Sequence, residues 1–158
     1  MTSHEKRRTD SASIEVSADP EAAFAAGADP EALVQWLPPE SMTGRVLEYD
    51  FREGGRYRIA LRYDDSVPDV RGKTTDREDV NAGRFIAIEP GKRIVQAGEF
   101  ETEDQSLDGE MTLTWSFERA GEGTKVTLTA ENVPPAIRKE DHDAGMRSSL
   151  ENLARYLA

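Results

Sequence analysis

The chain has 158 residues, enough for one ordinary domain and too few for two independent cores. Its 20 basic and 31 acidic residues give a formal charge of −11, which disfavours non-specific attraction to phosphate backbones or anionic lipid. With no Cys, and with His4 and His142 as the only histidines, disulfide scaffolds, thiolate zinc sites, cysteine nucleophiles and His-rich metal chemistry are excluded. No cofactor, metal ion or nucleic-acid partner is expected.

Residues 1–10 are polar throughout and read as a flexible tail. Their basic residues precede no apolar stretch, so they do not read as a signal peptide. No apolar run approaches the ~20 residues that span a bilayer, and the expectation is a cytoplasmic protein without membrane insertion. A single domain over 11–158 follows. Ser13-Ile14-Glu15-Val16 alternates as a half-buried strand does. Asp19-Pro20-Glu21 is a helix start, with an N-cap acid, proline at the first helical position and an acid in the first turn. That helix is expected over 21–26, closed by Gly27. Asp29-Pro30-Glu31 repeats the start signal for a second short helix carrying Leu33, Val34, Trp36 and Leu37, and Pro38-Pro39 stops it.

From Thr43 the period changes to two, with a hairpin turn at Glu53-Gly54-Gly55. In the next strand Tyr57, Ile59, Leu61 and Tyr63 fall on one face and Arg56, Arg58 and Arg62 on the other. Asp64–Asp79 has no period and reads as a long loop. Strands follow at Gly83–Glu89, Arg93–Phe100 and Glu110–Glu118, and around Val126 and Leu128. Seven strands joined mostly by short links predict an antiparallel sheet. Beyond Pro134-Pro135 the period is helical, predicting one long helix over 135–157 with Ile137, Asp141 or His142, Met146, Ser149, Leu150, Leu153 and Leu157 on a broad face.

Several short motifs occur in order. They are Asp19-Pro20-Glu21-Ala22-Ala23-Phe24, Asp29-Pro30-Glu31-Ala32-Leu33 with Trp36, and Arg52-Glu53-Gly54-Gly55-Arg56-Tyr57. Gly83-Arg84-Phe85, Ile88-Glu89-Pro90-Gly91-Lys92-Arg93-Ile94 and Thr114-Trp115-Ser116-Phe117-Glu118 come next. Gly123-Thr124-Lys125-Val126-Thr127-Leu128 and Gly145-Met146-Arg147-Ser148-Ser149-Leu150-Glu151-Asn152-Leu153 complete the series. With these residues the chain, from about Ser11 to Ala158, resembles the SRPBCC (START-like) superfamily. Within it the chain is most similar to bacterial homologues of the activator of heat-shock protein 90 ATPase. The resemblance implies an α+β helix-grip fold: a curved antiparallel seven-stranded sheet wrapped around a long C-terminal helix, with two short helices after the first strand. It also implies a cavity between sheet and helix. Proteins of this group often carry Trp after the glycine that is Gly145 here, and Met146 in its place widens that end.

The expected ligand-binding residues are Trp36, Tyr57, Ile59, Leu61, Tyr63, Phe85, Val95, Met111, Leu113, Trp115, His142, Met146 and Ser149. Trp36 is expected at the mouth. Apolar walls with a few Tyr, Trp and Ser tips suit a small, mostly hydrophobic molecule. The plainer alternative is that the same residues pack a closed core, which strand alternation requires in any case. His142 lies between Asp141 and Asp143, but consecutive helical residues point in different directions, so no metal site follows. Gly121-Glu122-Gly123-Thr124-Lys125 lacks the spacing of a phosphate loop, and no nucleophile elbow occurs. No catalytic residue is assigned.

Acids crowd Glu99 to Glu110 while arginines line one face of Arg56–Arg62. These read either as partner-docking patches or as a solvated outer sheet face. Three functions follow in order: binding a small hydrophobic ligand; interaction with a chaperone, or with a second copy of the chain as a homodimer; and cyclase- or hydrolase-like chemistry in the same cavity.

Overall fold

The computed structural model describes residues 7–64 and 78–158. Its elements are β1 (Arg8–Val16), α1 (Pro20–Ala28), α2 (Pro30–Trp36), β2 (Met42–Tyr49), β3 (Arg56–Tyr63), β4 (Glu78–Glu89), β5 (Arg93–Phe100), β6 (Met111–Ala120), β7 (Gly123–Val133) and α3 (Lys139–Tyr156). A 3-10 turn at Gln105–Leu107, which local periodicity does not announce, links β5 to β6. The strands form one seven-stranded antiparallel sheet in the order β1-β7-β6-β5-β4-β3-β2. Each hairpin lays its strand beside the last, and the first strand closes against the final one. Register shifts within β1–β7, β2–β3 and β4–β5 mark bulges, which bend a sheet. The α+β helix-grip architecture is that of the sequence reading.

Both short helices start where the Asp-Pro-Glu signals fall. Asp19 Oδ1 accepts the Ala22 backbone N–H at 2.8 Å, and Asp29 Oδ1 accepts that of Glu31 at 3.0 Å. Gly27 does not end α1, which runs on to Ala28. Its lack of a side chain serves packing instead: a Cβ there would sit 3.3 Å from Ile94 Cδ1. Three boundaries also move. The strand β1 begins at Arg8, inside the segment expected to be a tail. Glu78 and Asp79 belong to β4, and the rest of the expected 64–79 loop, 65–77, lies outside the described residues. The helix α3 starts at Lys139, because the Pro134-Pro135 segment forms a turn closed by Ile137 N–H to Pro134 C=O at 3.0 Å. At 18 residues, α3 is ~27 Å long, not the ~34 Å that 135–157 would give.

One strand has the opposite facing to that expected. In β5 the sheet's inner face takes Ile94 and Gln96, which pair with Trp115 and Leu113, and Val95 and Ala97 point the other way. The sequence Ile94-Val95-Gln96-Ala97 has apolar residues in both parities, so only pairing with β6 decides the face.

The last helix is clasped to the first strand by a buried carboxylate. Asp10, 1% exposed, accepts Arg8 Nε at 2.9 and 3.0 Å and bonds His142 Nδ1 at 2.7 Å, with Lys139 Nζ 3.6 Å away. Arg8 Nη2 also donates to the Ile137 carbonyl at 2.5 Å, fixing the turn before α3. Burial alone would raise the Asp10 pKa. Hydrogen bonds from Arg8 and His142, and their charges, outweigh it and hold the carboxyl below the ordinary aspartate value of 3.8. A depressed folded-state pKa contributes stability above the unfolded value, and that stability is lost as pH falls through the folded one. Wild-type stability should therefore drop steeply below about pH 4. Asp10→Asn should cost about 2–3 kcal/mol at neutral pH and flatten that acid limb, as urea titrations across pH would show. Two glycines should respond in opposite senses. A Cβ on Gly83 would lie 1.9 Å from the Ala97 carbonyl oxygen, whereas one on Gly145, in α3, meets nothing within 4 Å. In the same titrations Gly83→Ala should destabilise by about 2 kcal/mol or more, and Gly145→Ala should stabilise by about 0.5–1 kcal/mol.

Candidate functional site

Between α3 and the inner face of the sheet lies a cavity of about 530 Å³. Its floor comes from β3 (Tyr57, Ile59, Leu61, Tyr63), β5 (Ile94, Gln96, Phe100), β6 (Met111, Leu113, Trp115, Phe117) and Leu128 of β7. Ile137 and the α3 residues His142, Met146 and Ser149 cover it, and Leu33, Trp36 and Leu37 close one side. Of the residues expected there, all but Phe85 and Val95 line it. Phe85, 1% exposed, is instead packed against the rings of Tyr49, Phe51 and Tyr57 at centroid distances of 5.1–5.4 Å. Val95 is on the opposite face of β5. Trp36 is not at a mouth but deep, 2% exposed, with its indole N–H on the Ala26 carbonyl at 3.0 Å. It meets Trp115 edge to face at 5.4 Å, so the two tryptophans form a single wall.

Side chains of α3 hold the adjoining end of α2. Helix C-termini leave carbonyls without partners. Here Ser149 Oγ donates to the Leu37 carbonyl at 2.5 Å, and Asn152 Nδ2 to those of Trp36 and Pro38 at 3.2 and 2.9 Å. The Ser149 hydroxyl is thus committed to the frame although the residue lines the cavity.

The phenols are committed too. Tyr49 donates to the Gly27 carbonyl at 2.5 Å and Tyr57 to Asn81 Oδ1 at 3.1 Å. Burial pushes the pKa of both well above the usual tyrosine range. Tyr63 is raised as well, by burial first and then by the nearby charges of Asp79 and Asp141. All three stay protonated at neutral pH and are poorly suited to general acid–base work.

His142 has a defined orientation. An ionised carboxylate can only accept, so His142 Nδ1 carries the hydrogen and donates to Asp10. Neither of the flanking acids, Asp141 and Asp143, is the partner of the His142 ring. Its true partner is 132 positions away in sequence. Periodicity could have found it: the inward parity of Val16 and Ile14, carried back through Ala12, reaches Asp10. Gln96, Ile94, Tyr49 and Asn81 are further lining residues not anticipated, Gln96 and Ile94 because of the β5 register. Among the described residues no group of three His, Asp or Glu is placed to hold a metal ion.

On the outer face the expected charge patches meet each other. Arg58 and Glu101 form a two-point ion pair at 2.6 Å, and Arg84 bonds Glu110 at 2.5 Å. Arg58 holds the Glu101 carboxyl below its usual range.

The model of the family described as activator of Hsp90 ATPase homolog 1-like proteins matches residues 17–158. No curated protein matches in sequence. Among solved structures, a protein from Chromobacterium violaceum is 31% identical, with 95% of this chain and 96% of that one covered and a TM-score of 0.83. The AHSA1 protein from Silicibacter pomeroyi is 20% identical over 94% of this chain and 96% of its own, with a TM-score of 0.76. A protein from the dynemicin biosynthetic locus shares the fold at 20% identity and a TM-score of 0.67, with 96% of this chain and 48% of that one covered. With the family model matching nearly the whole sequence and the fold shared end to end, the chain belongs to the activator of Hsp90 ATPase homolog 1-like family.

Proposed function

We propose that the protein binds a small, mostly hydrophobic molecule in the cavity between its sheet and α3, as a cytoplasmic binding protein and not as an enzyme. The observation that carries this is the cavity itself. Its 530 Å³ falls within the range of small-molecule sites, and aromatic and aliphatic side chains dominate its walls. Packed cores seldom leave such a volume, because each lining group forfeits dispersion contacts there. The Tyr hydroxyls that catalysis would need are engaged with the frame and held protonated, which favours binding over turnover.

The family description favours a second reading, contact with a chaperone of the Hsp90 type. The outer charges that would serve such docking pair with one another, so the cavity reading ranks first.

Native mass spectrometry of the purified protein, compared with the same sample denatured and extracted, tests the first reading. A reproducible small mass that leaves on denaturation supports it. Silence there, and in a thermal-shift screen of lipids, aromatics and polyketide-like compounds, moves the weight to a chaperone pull-down. A true ligand at a hundredfold excess over its Kd should raise Tm by about 5–10 °C. Met146→Trp should fill the end of the cavity beneath Gly145 and weaken binding roughly tenfold or more while far-ultraviolet circular dichroism stays unchanged.

A further inference from the structure

Gln96 sits on the cavity floor in the middle of β5, paired with Leu113 on one side and Phe85 on the other, and is only 7% exposed. A buried primary amide must place both ends of its dipole, and each end left without a partner is costly. Gln96 Oε1 accepts the Trp115 indole N–H at 3.0 Å. An indole nitrogen can only donate, so this bond decides which end of the amide carries oxygen. The Nε2 end, with its N–H donors, is then turned away from Trp115. No described residue accepts from it, although Gln96 borders the cavity.

We propose that Gln96 Nε2 is the recognition point for a neutral carbonyl oxygen, so that the cavity's ligand is an apolar carbonyl compound and neither a hydrocarbon nor a fatty acid. This rests on the ligand-binding reading above and adds its chemical class. The neighbouring donors are already used: the Trp115 N–H by Gln96 itself, and the Tyr57 hydroxyl by Asn81. The charge of the described lining disfavours an anionic head group. Glu40 and Asp141 line the cavity, and among its described lining residues there is no Lys or Arg to balance a carboxylate.

The probes are 1-tetralone and tetralin, which share one bicyclic frame and differ by a carbonyl in place of a methylene. Without a donor in the cavity, the ketone loses its bonds to water on entry and tetralin binds better. The wild type should bind 1-tetralone at least as tightly as tetralin. Gln96→Met should shift that preference toward tetralin by about fivefold or more, as calorimetry would read. In wild-type nitrogen–proton spectra the Gln96 side-chain amide signals, assigned through their bonds to the Gln96 backbone, should move with 1-tetralone and stay still with tetralin. This arm holds even if the variant folds poorly. If both probes bind but the amide signals ignore the ketone, or the preference is unchanged in the variant, the carbonyl proposal is overturned while the cavity remains a binding site. If neither probe binds the wild type, the carbonyl proposal falls, and the binding reading is then decided by the native mass spectrum and the ligand screen.

Discussion

With no water reaching it, the Asp10 carboxylate has to find its hydrogen bonds within the protein, and it finds them on two elements at once. Arg8 lies on its own strand, and His142 reaches it from α3. Removing Arg8 or His142 strips hydrogen bonds from a buried carboxylate, and removing Asp10 takes away their shared counter-charge, so the three hold one another in place. The consequence is geometric. Because β1 lies at one edge of the sheet, fixing α3 to it sets where the helix passes over the inner face and how far it stands from the floor. The same bond fixes the orientation of the His142 ring on the cavity lining.

A cavity needs a rigid rim, since apolar walls gain contacts by collapsing onto one another. Here the rim is polar and the interior is not. At one end Asp10 grips α3; further along, Ser149 and Asn152 satisfy the last carbonyls of α2 and tie that helix down. Trp36 spends its N–H on Ala26, and Tyr49 its hydroxyl on Gly27, so both rings are anchored from behind. The aromatic faces then form walls whose positions are fixed by hydrogen bonds outside the cavity. Gln96 is the exception, since its amide is anchored by its oxygen and leaves donors facing inward.

The fold was legible in the sequence wherever one periodicity ran unopposed. The strand Arg56–Tyr63 alternates arginine with aromatic or aliphatic residues so cleanly that its face is decided without a partner. The two Asp-Pro-Glu starts name their helices as directly, since capping is a local interaction between an acid and the backbone two or three residues on. The misreadings fall where the deciding interaction is distant. In β5 apolar side chains occupy both parities and a polar one is the inward residue, so the face depends on pairing with β6. In β1 the start Arg-Thr-Asp looks like a tail because its inward polar residue finds its partner on α3 132 positions away. Gly27 has the composition of a helix stop, yet the helix runs through it and its missing Cβ leaves room for the Ile94 side chain.

These misreadings coincide with the polar chemistry of the site, for a physical reason. The family resemblance rests on residues that build the frame: helix starts, turns, and the apolar parity of long strands. A frame of this kind can host many ligands, and what selects among them is the few groups that break its pattern. Gln96 breaks the apolar parity of the floor. Asp10 breaks that of the first strand, and lies upstream of the segment 17–158 that matches the family model. Each is buried because a second residue satisfies part of it, Trp115 for Gln96 and Arg8 for Asp10, and each leaves a polar consequence on the cavity, the Gln96 amide donors in one case and the oriented His142 ring in the other. One polar group on the sheet side and one on the helix side give the lining a polarity that no apolar wall could supply, and under the binding proposal it is on this polarity, as well as on volume, that the choice of ligand turns.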